Sequence, residues 1–363
     1  MSYSIAEIAA ALGAEAAGDT ALRIVRPAEP QVAGPGDLAM AMSADYAEAL
    51  ITGRARAAVL WQGADWQAFG LEAAIFAPRA RRAMSRLTGL LDPAPEVEGI
   101  HATAYVGRGA ELGAGVTLGP FAVVGEGAHI GDGSWIGPHV SIAAGSRIGD
   151  ACRLHAGVRI ARNVRLGDRV WVQPNAVIGD GFSFVSAETS NAERARSTLG
   201  GAPVAPPEDP VWYRIHSLGG VEIGPDVEIG ANSCVDAGTI RPTRVGDGTK
   251  IDNLVQIGHN VVIGRHCLLC AGAAVAGSAR IGDRVVLAGL AGVSDNISLG
   301  DDVVAGAGSL ILSDVPAGRV VMGAPAMPMA AHIESYKALR RLPRLLARLK
   351  LAQKPVPKSG RSD

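Results

Sequence analysis

His259 and Gly277 stand eighteen residues apart in a chain whose branched aliphatic residues recur every six. A base that takes a nucleophile's proton and a backbone N–H that steadies a developing oxyanion are the two parts acyl transfer needs. An imidazole is largely neutral at cytosolic pH and can accept that proton. If three six-residue repeats close one coil, the pair stacks about 4.8 Å apart. A solvated corner histidine satisfies the same spacing. The remaining histidines have plainer readings. His101, His129, His139, His155 and His266 fall at scattered repeat positions and suit surface or stacking roles, and His332 lies in a C-terminal helix. His216 sits in a long interruption of the repeat, where it could touch a ligand. Cys267 and Cys270 match C-x-x-C, but the repeat sends one inward and the other outward, which argues against a metal or redox pair.

The repeat itself must position these residues. Every sixth residue from Ile100 to Ile178 is Ile, Leu or Val; the series resumes at Ile223, Ile229 and Val235, then runs from Val245 to Ile311 with Ala305 its one exception. A period of six matches neither a 3.6-residue helix nor a free two-residue alternation. It marks a hexapeptide parallel β-helix of short strands wound around a solid core. Counting the aliphatic residue as position 0, glycine often follows it, and position 4 is small or β-branched, as in Val116, Ala122, Ala128 and Val140. One long and one shorter side chain per hexad therefore point inward, while Gly, Asp and Asn take corners that need unusual backbone angles. Twenty-nine hexads make nearly ten coils, a prism about 45 Å long at roughly 4.8 Å per strand.

Composition agrees with a narrow aliphatic core: of 363 residues 48% are hydrophobic, 19% charged and only 4% aromatic. A net charge of −1 gives no general case for nucleic acid. Residues 331–363, however, carry nine Lys/Arg against two acids, which points to an acidic partner at that end. No stretch approaches the ~18 apolar residues of a membrane span, and the N-terminus lacks a charged start followed by an apolar run. A cytoplasmic protein is expected.

Three regions follow: 1–98, a small α/β domain; 99–320, the β-helix with a loop insertion at 179–222; and 321–363, C-terminal helices and a basic tail. In the first, Ser4–Leu12 reads as a capped amphipathic helix ending near Gly13. Residues 57–61 and 72–76 read as strands, and 79–91 as a helix. Asp92-Pro93-Ala94-Pro95 marks the boundary. The 179–222 insertion, containing Ala202-Pro203-Val204-Ala205-Pro206-Pro207, has the size of a loop that covers a binding cleft. Arg241-Pro242-Thr243-Arg244 is a second, four-residue insertion at one corner. Met322-Gly323-Ala324-Pro325-Ala326 leads to a helical stretch from about Met329 to Lys350, interrupted at Pro343, and Lys354–Asp363 reads as a disordered tail.

The segment Ile251-Asp252-Asn253-Leu254-Val255-Gln256-Ile257-Gly258-His259-Asn260 closely resembles the catalytic segment of the UDP-3-O-(3-hydroxyacyl)glucosamine N-acyltransferases of lipid A biosynthesis. The resemblance extends through the N-terminal α/β unit, Gly179-Asp180-Gly181-Phe182, the Gly-Ala-Pro-Ala turn and the C-terminal helices. It implies a left-handed parallel β-helix assembled as a homotrimer, with active sites in clefts between adjacent prisms. The donor it implies is an (R)-3-hydroxyacyl chain on the phosphopantetheine of acyl carrier protein. The acceptor is the 2-amine of a UDP-3-O-acylglucosamine, and neither a metal nor another cofactor is needed. By the same resemblance His259 is the general base and the Gly277 N–H the oxyanion donor. Asn253 and Gln256 bind the polar part of the acyl donor, Asp252 orients the site, and Leu310 ends an apolar acyl groove. Arg340, Arg341, Arg344 and Arg348, with Lys337 and Lys350, would meet the acidic surface of acyl carrier protein; a solvated amphipathic trimer helix has the same pattern.

Two positions depart from the family. Asn296 stands where a second histidine is often found; its amide can donate a hydrogen bond but cannot take a proton, so it becomes a binding residue. The uracil-binding pattern places an aromatic and an Asn ahead of a Tyr, whereas this chain has Met40-Ala41-Met42-Ser43-Ala44-Asp45-Tyr46. Tyr46 can still stack on the base, and Ser43 offers fewer hydrogen bonds than an amide. The alternatives are a UDP-N-acetylglucosamine O-acyltransferase or an acetyl-CoA-dependent sugar transferase. The separate N-terminal domain argues against the first, and the block ending at His259 against the second. A γ-type carbonic anhydrase needs three clustered histidines, and only His266 is near. A bare hexapeptide scaffold gives no reason for an outward Asp-Asn-x-x-Gln-x-x-His row.

Overall fold

The computed structural model describes residues 2–92, 99–191, 193–194, 206, 208–323 and 327–352. Most of the expected boundary at 92–95, most of the Pro-rich stretch 202–207, the turn at 324–326 and the tail 354–363 lie outside them. The chain forms two compact units, Met1–Glu96 and Val97–Asp363. In the first, helix Ile5–Leu12 begins at a capping box: the Ser4 hydroxyl accepts from Glu7 N at 3.1 Å and the Glu7 carboxylate accepts from Ser4 N at 2.6 Å. Gly13, at φ 62°, ends it. A five-stranded sheet runs in the order Glu15–Gly18, Ala73–Ala77, Ala57–Trp61, Asp37–Ala41, Arg26–Ala28, antiparallel only at its first pair. Helices Ile5–Leu12 and Ala80–Leu91 bury Ile5, Ile8 and Leu87 against Val59 and Ile75 of that sheet. The two strands legible in the sequence are its buried centre. Of the other three, Glu15–Gly18 and Arg26–Ala28 are short, and Asp37–Ala41 has no β-branched residue to mark it.

In the second unit strands of two or three residues stack into three parallel sheets of ten, nine and ten strands. The first face begins at Tyr105–Val106, the second at Glu111–Leu112 and the third at Thr117–Leu118. Residues eighteen apart pair in register, as in Leu118↔Ile136 and Ile257↔Val275. The aliphatic position and position 4 both fill one continuous core; Ile130, Ala128, Leu154 and Val261 have no exposed surface. Val177↔Cys234 and Cys234↔Gln256 pair across the two interruptions, so both insertions leave the ladder without breaking its register. The large one contains an antiparallel ribbon, Phe184–Ser186 with Trp212–Arg214, that the sequence did not announce. The C-terminal helix spans Met329–Ala352 and continues through Pro343, against the expected interruption. Proline there costs one backbone hydrogen bond and crowds the Leu339 carbonyl, but does not end the element.

The corners divide the labour of glycine differently from the expectation. Unusual angles occur at position 3, where Asn175, Asn232 and Asn260 hold φ between 57° and 62°. The glycine after the aliphatic residue is required by the closeness of the coils. A Cβ on Gly282 would lie 2.5 Å from Asp301 Oδ1 and 2.6 Å from Asp301 N. On the corner between the second and third faces this tight stacking carries a carboxylate ladder. Asp132, Asp150 and Asp168 accept from the backbone N–H of Ala114, Asp132 and Asp150 at 2.8, 2.9 and 3.0 Å. Asp283 and Asp301 do the same for Arg265 and Asp283, both at 2.8 Å.

Candidate active site

The outer surface of the first face carries one side chain per coil in strict register: Ser141, Arg159, Val177, Cys234, Gln256, Ala274, Gly292, Leu310. Beyond Gln256 the residues are small, and they floor a cleft of about 970 Å³ that Leu310 and Leu312 close. Toward the N-terminus a second cleft of about 1020 Å³ shares Val177, Asp180, Gly181 and Arg214 with the first and adds Arg159, Arg162 and His216. Arg159 donates to the His139 carbonyl at 2.6 Å and Arg214 to the Gly181 carbonyl at 3.1 Å. Both arginines are thus held by backbone rather than by carboxylates. An apolar half and a cationic half meet beside His259.

His259 lines the apolar cleft at the corner between the first and second faces. Its Nδ1 lies 3.0 Å from Asn260 Oδ1. That oxygen also accepts from Thr239 N at 3.2 Å, while Asn260 Nδ2 donates to the Arg241 carbonyl at 3.0 Å, so the amide is fixed the right way round. An amide oxygen only accepts. Nδ1 therefore carries the proton, and Nε2 presents its lone pair to the cleft. Asn260 is 8% exposed and is held by the four-residue insertion. That insertion is tied in turn to the end of the large one, through Thr243 N to the Gly220 carbonyl at 3.2 Å. Both irregularities of the repeat converge behind the imidazole.

Gly277 lies under that ring: a Cβ there would sit 2.7 Å from His259 Nε2. The ladder pattern would cap the Gly277 N–H with the side chain one coil on, Asp295. The Asp295 carboxylate instead accepts from Ser294 Oγ at 3.3 Å and Asn296 Nδ2 at 3.1 Å. Gly277 N–H has no hydrogen-bond partner among the described residues. Gln256 also lines the cleft and donates from Nε2 to Asp236 Oδ1 at 3.1 Å. Cys234 is a neighbour, but burial, then Asp236 and Asp180, push its thiol above the ordinary range, away from the nucleophilic thiolate form. Cys267 is buried and Cys270 half-buried, as the register requires. No group of three or more metal-ligating side chains occurs among the described residues.

Other expected residues lie elsewhere. Asp252 and Asn253 do not line the His259 cleft of this chain; they clamp the corner between the third and first faces. Asp252 accepts from Asn253 N at 2.7 Å and Ala271 N at 3.0 Å, and Asn253 Oδ1 from Ala231 N at 2.6 Å. Within the single chain these oxygens accept from backbone N–H groups. Asn296 is exposed outside the cleft lining; its N–H donates to the Gly277 carbonyl at 3.1 Å and its side-chain amide to Asp295 at 3.1 Å. In the first unit, Ser43 and Tyr46 share a cleft of about 550 Å³ with Met40, Met42 and Met84, and Ser43 Oγ donates to Asp45 at 3.1 Å. Arg340, Arg341, Arg344 and Arg348 are exposed along the C-terminal helix, with Arg340 over the Tyr336 ring at 5.9 Å. Asn260, Asp236, Arg159, Arg162 and Arg214 were missed. Asn260 was recoverable, because it is the corner residue that follows His259 and the hexad register fixes its place.

Several known proteins are similar to this chain. The bacterial transferase hexapeptide model (six repeats) matches residues 127–162 and 242–277, and the hexapeptide repeat of succinyl-transferase model matches 220–257. A UDP-3-O-acylglucosamine N-acyltransferase of Ruegeria pomeroyi is 60% identical, the match covering 100% of this chain and 100% of its own. A protein of the same name from Paracoccus denitrificans is 53% identical over 99% of this chain and 98% of its own. Among solved structures, the UDP-N-acetylglucosamine O-acyltransferase of Moraxella catarrhalis is 25% identical, covers 62% of this chain and 72% of its own, and has a TM-score of 0.43. The chain is an acyltransferase and belongs to the UDP-3-O-acylglucosamine N-acyltransferase family.

Proposed function

We propose that this enzyme moves an (R)-3-hydroxyacyl chain from acyl carrier protein to the 2-amine of a UDP-3-O-acylglucosamine, a step of lipid A biosynthesis, in the cytoplasm. The observation that carries the reading is His259, with Nε2 free, above the unpaired Gly277 N–H where the two halves of the cleft meet. The amine nitrogen attacks the thioester carbon, His259 Nε2 takes its proton, and the Gly277 N–H donates to the oxyanion. Collapse breaks the C–S bond, and the imidazolium returns the proton to the departing sulfur. The acyl chain lies along Ala274 and Gly292 toward Leu310, where each buried CH₂ contributes ~0.8 kcal/mol. Arg159, Arg162 and Arg214 suit the diphosphate of the acceptor. Gln256 contacts the donor's polar part, and Tyr46 and Ser43 hold the uracil. Asp252 and Asn253 would reach a site only from a neighbouring chain of a homotrimer, with Asn296 an auxiliary contact. Arg340, Arg341, Arg344 and Arg348 would receive the acidic carrier protein.

The test is product analysis by mass with acyl carrier protein donors and either the amine acceptor or UDP-N-acetylglucosamine. Amide formation that falls ~10²–10⁴-fold in a folded His259→Ala variant is the expected result. Turnover near that of the parent, or ester formed in preference to amide, would sink the reading.

A further inference from the structure

Asp236 has a place in the cleft that the scheme above leaves unused. It follows strand Cys234–Val235, one coil before His259, and lines the same cleft. One oxygen accepts from Gln256 Nε2 at 3.1 Å, and it forms no ion pair with Lys or Arg among the described residues. Other carboxylates of this chain do: Asp226 meets Arg169 at 2.7 Å, Asp302 meets Arg284 at 2.7 Å, and Asp37 meets Arg26 at 3.0 Å. Burial pushes the Asp236 carboxyl above its ordinary range; the Gln256 hydrogen bond and His259 pull it down, and Asp180 adds to the rise. A carboxylate withdrawn from water without a cation is costly. The charged and titratable groups that share its cleft are His259, Asp180, Cys234 and Arg214. Arg214 is tied to the Gly181 carbonyl, and a protonated His259 cannot serve as base. Asp236 is thus left without a cation partner among the described residues.

We propose that Asp236 is the subsite for the acceptor's protonated amine and sets the preference for nitrogen over oxygen nucleophiles; this rests on the active-site reading above. The acceptor enters as R–NH₃⁺ with one N–H donated to Asp236. One proton leaves to bulk water, the freed lone pair forms the N–C bond, and the second proton passes to His259 Nε2 and on to the thiolate as C–S breaks. The third stays on the amide. The sum is R–NH₃⁺ plus thioester giving amide, thiol and H⁺. A hydroxyl has a single proton, and His259 must take it. Its oxygen then turns only lone pairs toward the carboxylate, and the contact becomes repulsive.

The test compares the intact enzyme with Asp236→Asn, Asp236→Ala and His259→Ala, varying the amine acceptor and the acyl carrier protein donor separately. Loss of a charge-assisted contact should raise the acceptor KM about 10- to 100-fold and leave the donor KM unchanged. The amide-to-ester ratio, with amine and hydroxyl acceptors in competition, should fall in both Asp236 variants. Asp236→Asn should also melt at or above the parent at pH 8, with the gap closing on acidification. The sign follows from the raised carboxyl: the parent's native state is favoured at low pH and loses that advantage as pH rises through the Asp236 titration. An acceptor KM within twofold of the parent in folded Asp236 variants, or a fall in kcat with both KM values unchanged, overturns the proposal while His259→Ala stays inactive. If His259→Ala is active, it is the active-site reading that fails.

Discussion

Two corners of one prism are built from the same repeat and used in opposite ways. Between the second and third faces, the N–H groups of five position-2 residues are covered by a carboxylate from the next coil, as Asp283 covers Arg265. Between the first and second faces the same position holds His259 and Gly277, and the Gly277 N–H is left open because Asp295 is engaged by Ser294 and Asn296. The first corner satisfies its backbone and contributes only stability. The second leaves a donor unsatisfied among the described residues, a small cost in stability, and it is the donor that the proposed mechanism assigns to the oxyanion. Function here is a local omission from a stabilising pattern.

That contrast can be broken most sharply with two glycines at equivalent corners. Gly277→Ala drives a methyl into the imidazole, so turnover should drop about 10²-fold with the melting temperature little changed. Gly282→Ala presses instead on the backbone of the neighbouring coil; it should cost about 1–3 kcal/mol in denaturation and leave kcat/KM near that of the parent. Equal effects on both readouts at the two positions would erase the distinction. Next in size, Asn260→Ala removes the group that fixes the His259 tautomer, and kcat should fall about tenfold with KM values held. The smallest change is expected for Asp283→Ala, which removes one rung of the ladder: about 1 kcal/mol less stable by chemical denaturation, with unchanged kinetics.

The repeat was fully legible, because an inward side chain at every sixth position is a demand of the narrow core. His259 and Gly277 were legible for the same reason: register alone stacks them. The backbone contacts of Asp252 and Asn253 were not legible, because a corner Asp or Asn has two uses, ligand contact or backbone clamp, and only the coil-to-coil hydrogen bonds reveal the second. Asp236 was invisible because its neighbours are set by stacking across an insertion, Cys234 against Gln256, a separation of twenty-two residues that the simple period does not give.

The row from Gln256 to Leu310 also makes length an integer property of this protein. Each coil adds one residue to the floor and about 4.8 Å to the trough. Because solenoid coils contact only their neighbours, inserting one eighteen-residue unit after Gly292 would push the closing leucine back by one step and leave His259 and its supports where they are. The enzyme would then accept a longer tail in a discrete jump rather than a graded drift.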